Sequence, residues 1–260
     1  MALTGGEVRL AHQREGAVAV LTLSRPGKMN AVTFEMRERL NEHFVAIDKD
    51  PQVRVVVIRG EGEVFTAGGD IEGFLEVDPP HFTDLGHDLT APSRSPKPVI
   101  AAVDGLCLGA GLELAMSCDI RLATRRSEFG QPEMRLGMIP GSGGTQRLAR
   151  LVGLSRAKYL VMTGERFSAE NALAWGVVAK VAEDAAGLEA VMDRLVGTLL
   201  GYSPLALRTA KEVLDRGSDG PLASGIELER KAYAMLRASH DFTEGVNAFL
   251  ERRTPHFEGR

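Results

Sequence analysis

Five short runs of β-branched and other apolar residues limit the folds that this chain can adopt. They are Val18 to Leu23, Val53 to Ile58, Val99 to Val103, Cys118 to Ala123, and Val177 to Val181. Several are almost continuously apolar, which is typical of strands that helices cover on both faces, and the segments between them are long enough for crossover helices. The sequence therefore predicts an α/β layered fold.

Helical periodicity fills the spaces between these runs. The clearest helix is predicted over residues 33–48, where apolar residues recur on one face: Met36, Leu40, Phe44 and Ile47. Other helices are predicted just after Ala110, within residues 143–151, over residues 155–162, and from an N-cap at Ser168 to Trp175. From about residue 188 to residue 249 the pattern is helical only. We therefore predict a core at residues 1–185 and a helical region at residues 186–260 that caps the core or packs on another subunit.

Residues 72–97 differ from the rest of the chain because prolines interrupt them repeatedly. A loop this long inside a compact domain is usually functional or mobile. We predict a flap beside a ligand in this segment.

Charge and composition exclude several classes of partner. The formal net charge of −4 gives no field that would attract a polyanion, so nucleic acid is disfavoured as the main partner. The N-terminal segment has acidic side chains and no apolar core, and no apolar run approaches the ~18 residues of a membrane span, so we expect a cytoplasmic protein without a membrane partner. The six histidines are too dispersed to predict a metal site.

Two glycine-containing segments resemble known motifs but lack a residue that each motif requires. Gly109-Ala-Gly111 opens a helix, but a dinucleotide-binding turn needs a third glycine where Leu114 stands. Gly141-Ser-Gly143 lacks the first glycine of a nucleophile elbow, because residue 140 is proline. The sequence therefore predicts neither a dinucleotide cofactor bound by a Rossmann-type turn nor a serine nucleophile.

Two other glycine-rich turns, which use several of the 29 glycines, each follow a strand-like run. They are Phe65-Thr-Ala-Gly-Gly-Asp-Ile71 and Asp104-Gly-Leu-Cys-Leu-Gly-Ala-Gly-Leu-Glu113. In the second, residues 109–111 begin a helix whose N-terminal dipole favours a developing negative charge. Small residues let backbone N–H groups approach a carbonyl oxygen of a ligand, so the two turns predict an oxyanion hole.

Two carboxyl groups accompany these turns. Glu113 is on the first turn of the helix that begins near Ala110, and Glu133 precedes the glycine-rich turn at residues 140–145. Two carboxyl groups beside an oxyanion hole favour general acid–base chemistry on a carbonyl compound. The spacing alone equally allows Glu113 to complement the helix N-terminus and Glu133 to be a surface loop charge.

In combination these motifs resemble the enoyl-CoA hydratase/isomerase, or crotonase, superfamily. The resemblance runs from about Val18 to Phe257 and rests on Arg25 to Ala31, Phe65 to Ile71, Lys97 to Gly105, Gly109 to Ala115, Cys118 to Ile120, Phe129 to Glu133, and Ile139 to Arg147. It implies a crotonase-like spiral of repeated ββα units, a helical C-terminal trimerisation region and acyl-CoA thioester substrates. The assembly it implies is a homotrimer or a dimer of trimers.

The resemblance also implies roles for individual residues. Gly69 and Ala110 would donate the two N–H groups of the oxyanion hole. Glu113 would act as the base on a water that adds to C3 of a 2-enoyl-CoA, and Glu133 as the acid that protonates C2. No metal and no separate cofactor are expected, because coenzyme A is part of the substrate.

Contacts with coenzyme A follow from the same resemblance. The residues expected at its nucleotide end are Lys28, Asn30 and Ala31. Those expected along the pantetheine and adenine through their backbone are Ala67, Asp70, Ile71 and Glu72. Those expected to complete the pocket, across a subunit boundary, are Phe249 and either Arg252 or Arg253.

Two positions depart from the family pattern. Position 69 is Gly where hydratases often have Ala, which keeps the N–H donor but loosens the turn. Position 110 is Ala where a run of glycines is common, so its methyl group is expected to crowd the thioester and narrow the substrate range.

Three other functions are compatible with the resemblance. Isomerases of the family shift a double bond with one carboxylate, usually the one that matches Glu133, so the second carboxylate at Glu113 favours hydration. Other lyases and hydrolases recruit residues from variable loops, and residues 72–97 identify none. One branch binds AU-rich RNA through a lysine-rich first helix, whereas residues 28–50 here hold four basic and five acidic residues.

Overall fold

The computed structural model describes residues 5–75 and 88–260. Within these residues the strands are β1 (Glu7–Gln13), β2 (Val18–Ser24), β3 (Val55–Gly60), β4 (Val99–Val103), β5 (Leu106–Leu108), β6 (Ile120–Thr124), β7 (Glu128–Gly130), β8 (Phe167–Ser168) and β9 (Lys180–Ala182). The helices are α1 (Phe34–Lys49), α2 (Ala91–Arg94), α3 (Ala110–Ser117), α4 (Gly144–Val152), α5 (Leu154–Thr163), α6 (Ala169–Ala174), α7 (Ala185–Leu200), α8 (Pro204–Ser218), α9 (Leu222–Arg237) and α10 (His240–Glu251).

The strands form two sheets. The larger has the order β1-β2-β3-β4-β6-β9, and the smaller has the order β5-β7-β8. In the larger sheet β1 pairs antiparallel with β2, and each of the other neighbouring pairs is parallel. The units β4-β5-α3 and β6-β7-α4 each place their first strand in the large sheet and their second in the small one. The structure thus confirms the predicted α/β fold with repeated ββα units.

The structure corrects the predicted strands in two ways. It adds β1, which is mostly exposed, and β5, β7 and β8, which have only two or three residues and are too short to show a period. It also starts three strands later than the apolar runs do, at Val55, Ile120 and Lys180. Val53 and Val177 are buried, so they belong to the apolar runs although they precede their strands.

Helix α1 positions part of the site described below. Thr33 caps it, because its Oγ1 accepts a hydrogen bond from the amide of Met36 at 3.2 Å. The face that packs on the core carries the four predicted apolar residues and also Arg37. The presence of Arg37 on this face was not predicted.

The chain divides into two compact units. The first comprises the described residues up to Ser95 together with Val99–Met192, and the second comprises Pro96–Pro98 and Asp193–Arg260. The apolar core of the first unit packs β2, β3 and β4 against α1 and α3. Helix α7 begins at residue 185 and crosses the division.

The second unit is helical, as expected for the C-terminal region. Its last residues fold back onto the buried carboxylate of Asp241, which accepts hydrogen bonds from the amides of Glu258 at 2.8 Å and Gly259 at 2.9 Å. In the part of the chain that the structure describes, we find no helix with the length and apolar character needed to traverse a bilayer.

Residues 76–87 of the predicted flap lie outside the described residues. On either side of that gap, Gly73–Leu75 and Asp88–Thr90 form single 3-10 turns, and α2 follows. The flap therefore stays a prediction, although its described beginning contributes Phe74 to the cavity discussed next.

Candidate active site

The two glycine-rich turns predicted to form an oxyanion hole lie against each other. Gly68 has a φ of +117° and Gly109 a φ of +50°, both in the region that favours glycine. A Cβ on Gly68 would lie 3.1 Å from the Leu108 carbonyl oxygen, and a Cβ on Gly109 would lie 3.9 Å from the Gly68 Cα. The absence of side chains at these positions is what allows the two backbones to approach so closely.

Gly69 and Ala110, the predicted oxyanion-hole donors, lie beside this close approach. Val32 pairs with the segment around Gly69 by donating to the Gly68 carbonyl at 2.8 Å and accepting from the Asp70 amide at 3.0 Å, which leaves the Gly69 amide out of the pairing. Ala110 is the first residue of α3, where amides have no partner within the helix. Among the described residues, none accepts a hydrogen bond from either amide. Both residues line a cavity of about 310 Å³.

Glu113 lines the same cavity and is held by backbone donors. It is 3% exposed, and its Oε1 accepts hydrogen bonds from the amides of Ser142 at 2.6 Å and Gly144 at 2.8 Å. Burial raises the pKa of Glu113, and these two N–H groups together with the positive charges of Arg37 and Arg147 oppose that rise. The carboxylate is therefore fixed in place by donors that favour its ionised form.

Glu133 also lines the cavity, on a 3-10 turn at Pro132–Leu136. Its carboxylate lies over the second glycine turn, because a Cβ on Gly109 would stand 3.1 Å from its Oε1. Burial raises the pKa of Glu133 to about 7, its own amide opposes the rise, and the nearby charge of Glu113 adds to it. Glu113 thus has donors that partly offset the effect of burial on its ionised form, whereas Glu133 exchanges its proton near neutrality. Such a difference suits base and acid roles.

The family model of enoyl-CoA hydratase/isomerase matches residues 13–260. The chain belongs to this family. It is 39% identical over 249 residues to the 2,3-dehydroadipyl-CoA hydratase of Escherichia coli (strain K12), covering 95% of this chain and 97% of that protein. It is 36% identical to the short-chain-enoyl-CoA hydratase of Clostridium acetobutylicum, covering 93% and 94% of the two chains.

Solved structures of enoyl-CoA hydratases have the same fold. A crystal structure from Geobacillus kaustophilus HTA426 superposes with a TM-score of 0.90 at 42% identity, covering 98% of this chain and 99% of that one. An enoyl-CoA hydratase from Bacillus anthracis superposes with a TM-score of 0.92 at 33% identity, covering 98% and 100%. The hydratase/isomerase fold therefore extends over nearly the whole chain.

Only some of the residues that the family resemblance assigns to coenzyme A line the cavity. Ala67 and Ile71 line the cavity with Gly69 and Ala110. The others in the first unit lie outside its lining: Lys28, Asn30, Ala31, Asp70 and Glu72.

Several of these outlying side chains are engaged with the protein itself. Lys28 Nζ is 3.1 Å from Glu72 Oε1, and Arg25 Nη1 is 3.1 Å from Asp70 Oδ1. Asn30 is buried and ties the turn at residues 25–31 to the end of β3, because its Nδ2 donates to the carbonyls at residues 61 and 64. Both N–H donors of the Asn30 side chain are therefore used within the protein.

Phe249 and Arg252 belong to the second unit. Phe249 is on α10, is largely exposed and lines a groove within that unit, and Arg252 caps the C-terminus of α10 with a φ of +55°. Their assignment to coenzyme A stays a prediction.

Several residues around the cavity were not predicted from the sequence, and three of them contact its predicted functional groups or lie beside them. Arg37 lines it from α1 and Phe74 from the start of the flap. Gln131 is fully buried, and its amide NH₂, turned toward Glu133, lies 2.9 Å from Oε1 and 3.2 Å from Oε2. Only Arg37 had a usable signal, since it stands three residues before Leu40 on the apolar face of a predicted helix.

Proposed function

We propose that this member of the family is an enoyl-CoA hydratase. It would add water across the 2,3 double bond of a 2-enoyl-CoA thioester and release a 3-hydroxyacyl-CoA. The observation that carries the proposal is that Glu113 and Glu133 line one cavity together with the amides of Gly69 and Ala110. The names of the relatives in Escherichia coli and Clostridium acetobutylicum support the same activity.

The proposed reaction uses each of these groups once. The N–H groups of Gly69 and Ala110 donate to the thioester oxygen and stabilise the negative charge that develops there. Glu113 takes a proton from a water held between the carboxyl groups, and the water oxygen bonds to C3. Glu133 gives its proton to C2 as the enolate collapses. The product carries OH on C3 and H on C2, and a proton must pass from Glu113 to Glu133 or solvent before the next turnover.

Coenzyme A enters this scheme as part of the substrate, so we propose that no further cofactor takes part. The groups already named supply a base, an acid and electrophilic stabilisation, which are what the addition of water to an activated double bond requires.

Double-bond isomerisation is the competing activity. Isomerisation needs one carboxylate, which moves a proton from one carbon to another. This chain has two carboxylates in the same cavity, and the amides of two residues hold Glu113 in place. That fixation favours hydration, because it holds a base in one orientation while leaving Glu133 to move the second proton.

The decisive assay offers the purified chain 2-enoyl-CoA thioesters of short, long, branched and cyclic acyl groups, one ending in a carboxylate, and a 3-enoyl-CoA. We expect 3-hydroxyacyl-CoA from at least one 2-enoyl substrate. Conversion of the 3-enoyl substrate with no hydration of any 2-enoyl substrate would instead identify an isomerase.

We also propose that the second unit mediates self-association, as a trimer or a dimer of trimers. Its groove of about 670 Å³ is lined by apolar side chains, and several of them are exposed in the single chain. Apolar patches of this kind commonly mark protein–protein contacts.

A further inference from the structure

Arg37 contributes a guanidinium to the wall of the catalytic cavity. It shares the apolar face of α1 with Leu40 and Phe44, and it is only 6% exposed. It lines the same cavity as Gly69 and Glu113. Arginine is rarely buried to this degree, because taking a cation out of water is costly.

Aromatic rings and a glycine make room for this guanidinium. The Arg37 Cζ lies 5.6 Å from the centroid of the Phe34 ring, and that centroid lies 6.1 Å from the centroid of Phe74. A Cβ on Gly69 would lie 2.5 Å from Phe74 Cζ and 3.5 Å from Arg37 Nη2. Alanine at position 69 would therefore displace the Phe74 ring. The glycine that departs from the family pattern lets Phe74 and Arg37 pack beside the oxyanion-hole amide.

Charged groups on three elements act on the Glu113 carboxylate. They are Arg37 from α1, Arg147 from α4 and Glu133 from the turn that precedes α4. The two arginines oppose the rise in the pKa of Glu113 that burial causes, and Glu113 and Glu133 repel each other. Arg147 donates from Nη2 to Ser93 Oγ at 3.0 Å and lies outside the cavity lining. Of these two arginines, Arg37 is the one that lines the cavity.

The lining also includes Arg135, but this side chain is exposed, so solvent screens its charge. The buried charge of Arg37 acts through a medium of lower dielectric constant and is screened less. We propose that Arg37 is a positioning residue for hydration: its guanidinium, packed beside Gly69 in the cavity wall, favours the ionised form of Glu113 that must accept the proton of water. This role rests on the proposed function.

The positioning role of Arg37 can be tested by measuring kcat/KM for hydration of 2-butenoyl-CoA as a function of pH, in the wild type and in Arg37→Met. Loss of the positive charge should raise the pKa of Glu113. Because the base must be ionised, the acid limb of the profile should move to higher pH. Arg37→Lys keeps a positive charge and should return the limb toward its wild-type position. Arg39→Met, on the exposed side of the same helix, is the matched control and should leave the limb unmoved.

An acid limb that stays in place in Arg37→Met while kcat falls would assign Arg37 a packing role and overturn the proposal. If Arg37→Met does not fold, Arg37→Gln takes its place with the same expected shift.

Infrared difference spectra give a second measure of the ionisation of Glu113, because the protonated Glu113 carboxyl band can be identified by its loss in Glu113→Gln. If the wild-type chain hydrates no enoyl-CoA, the proposed function fails, and the infrared titration still decides whether Arg37 controls the ionisation of Glu113.

Discussion

At the scale of single residues, the two glutamates differ in what surrounds each carboxyl group. Glu113 accepts two backbone hydrogen bonds, whereas Glu133 has a pKa that burial raises to about 7. Such a difference lets two identical side chains take opposite roles in proton transfer. Because the two carboxyl groups interact, the apparent pKa values given by the two limbs of a pH profile describe the titration of the pair.

The elevated pKa of Glu133 predicts a basic limb in the pH profile. Hydration needs Glu133 protonated, so kcat/KM should decline as the pH rises through about 7. Steady-state rates across the neutral range measure this, with thermal unfolding recorded at each pH as the control. Activity that keeps rising well above neutrality would contradict the assignment of Glu133 as the acid.

Gly144 holds Glu113 in a space that has no room for a methyl group. A Cβ there would lie 2.6 Å from Pro140 Cβ and 2.9 Å from Glu113 Oε1. Gly144→Ala should therefore displace the carboxylate and lower kcat, by about 10²-fold if general base catalysis is lost. Gly141→Ala, in the same turn, meets nothing within 4 Å and should retain far more activity. Equal losses in both variants would show that the position of Glu113 is not the cause.

The proximity of groups was easiest to predict where sequence order keeps them together. Glu113 follows Ala110 by one helical turn, so their proximity could be inferred from the chain. The composition of the two glycine-rich turns predicted that they form one site, but not the particular contact between Gly68 and Gly109, because it depends on tertiary pairing across 41 residues of sequence. The burial of Arg37 was not predicted, because an arginine on a helix is ordinarily expected to be solvent-exposed.

At the scale of elements, helix α1 contributes to the stability of the fold and also carries a residue of the site, Arg37. Its N-cap is Thr33, whose hydroxyl accepts from the amide of Met36. Thr33→Ala should lower the free energy of unfolding by about 1 kcal/mol, because that amide loses its acceptor. Urea unfolding measures the loss, and Thr33→Ser, which keeps the hydroxyl, should recover most of it. An alanine variant as stable as the wild type would show that the cap contributes nothing measurable.

Elements were predictable from sequence in proportion to their length and burial. Helix α1 and strands β2 and β4 begin within one residue of their predicted starts, because long apolar patterns leave little choice of face. Strands β5, β7 and β8 exist through pairing with one another rather than through any pattern of their own. Strand β1 adds to the edge of the large sheet with most of its side chains exposed.

At the scale of the whole molecule, the second unit exposes apolar surface that self-association would cover. Leu250 is 72% exposed and lines the groove of that unit. We expect sedimentation equilibrium to give a mass about three or six times the 28.0 kDa of one chain, and Leu250→Asp to shift it toward the monomer, because a buried charge opposes association. A wild-type chain that sediments as a monomer would contradict this expectation.

The rate of hydration of 2-butenoyl-CoA tests most directly whether two glutamates carry out the reaction. It should be measured in the wild type and in Glu113→Gln and Glu133→Gln, which keep the shape of each side chain. The wild type should form 3-hydroxybutanoyl-CoA, and each variant should lose about 10²-fold or more in kcat while remaining folded. Full hydration activity in Glu113→Gln, with loss only in Glu133→Gln, would contradict the account and leave a single-carboxylate mechanism.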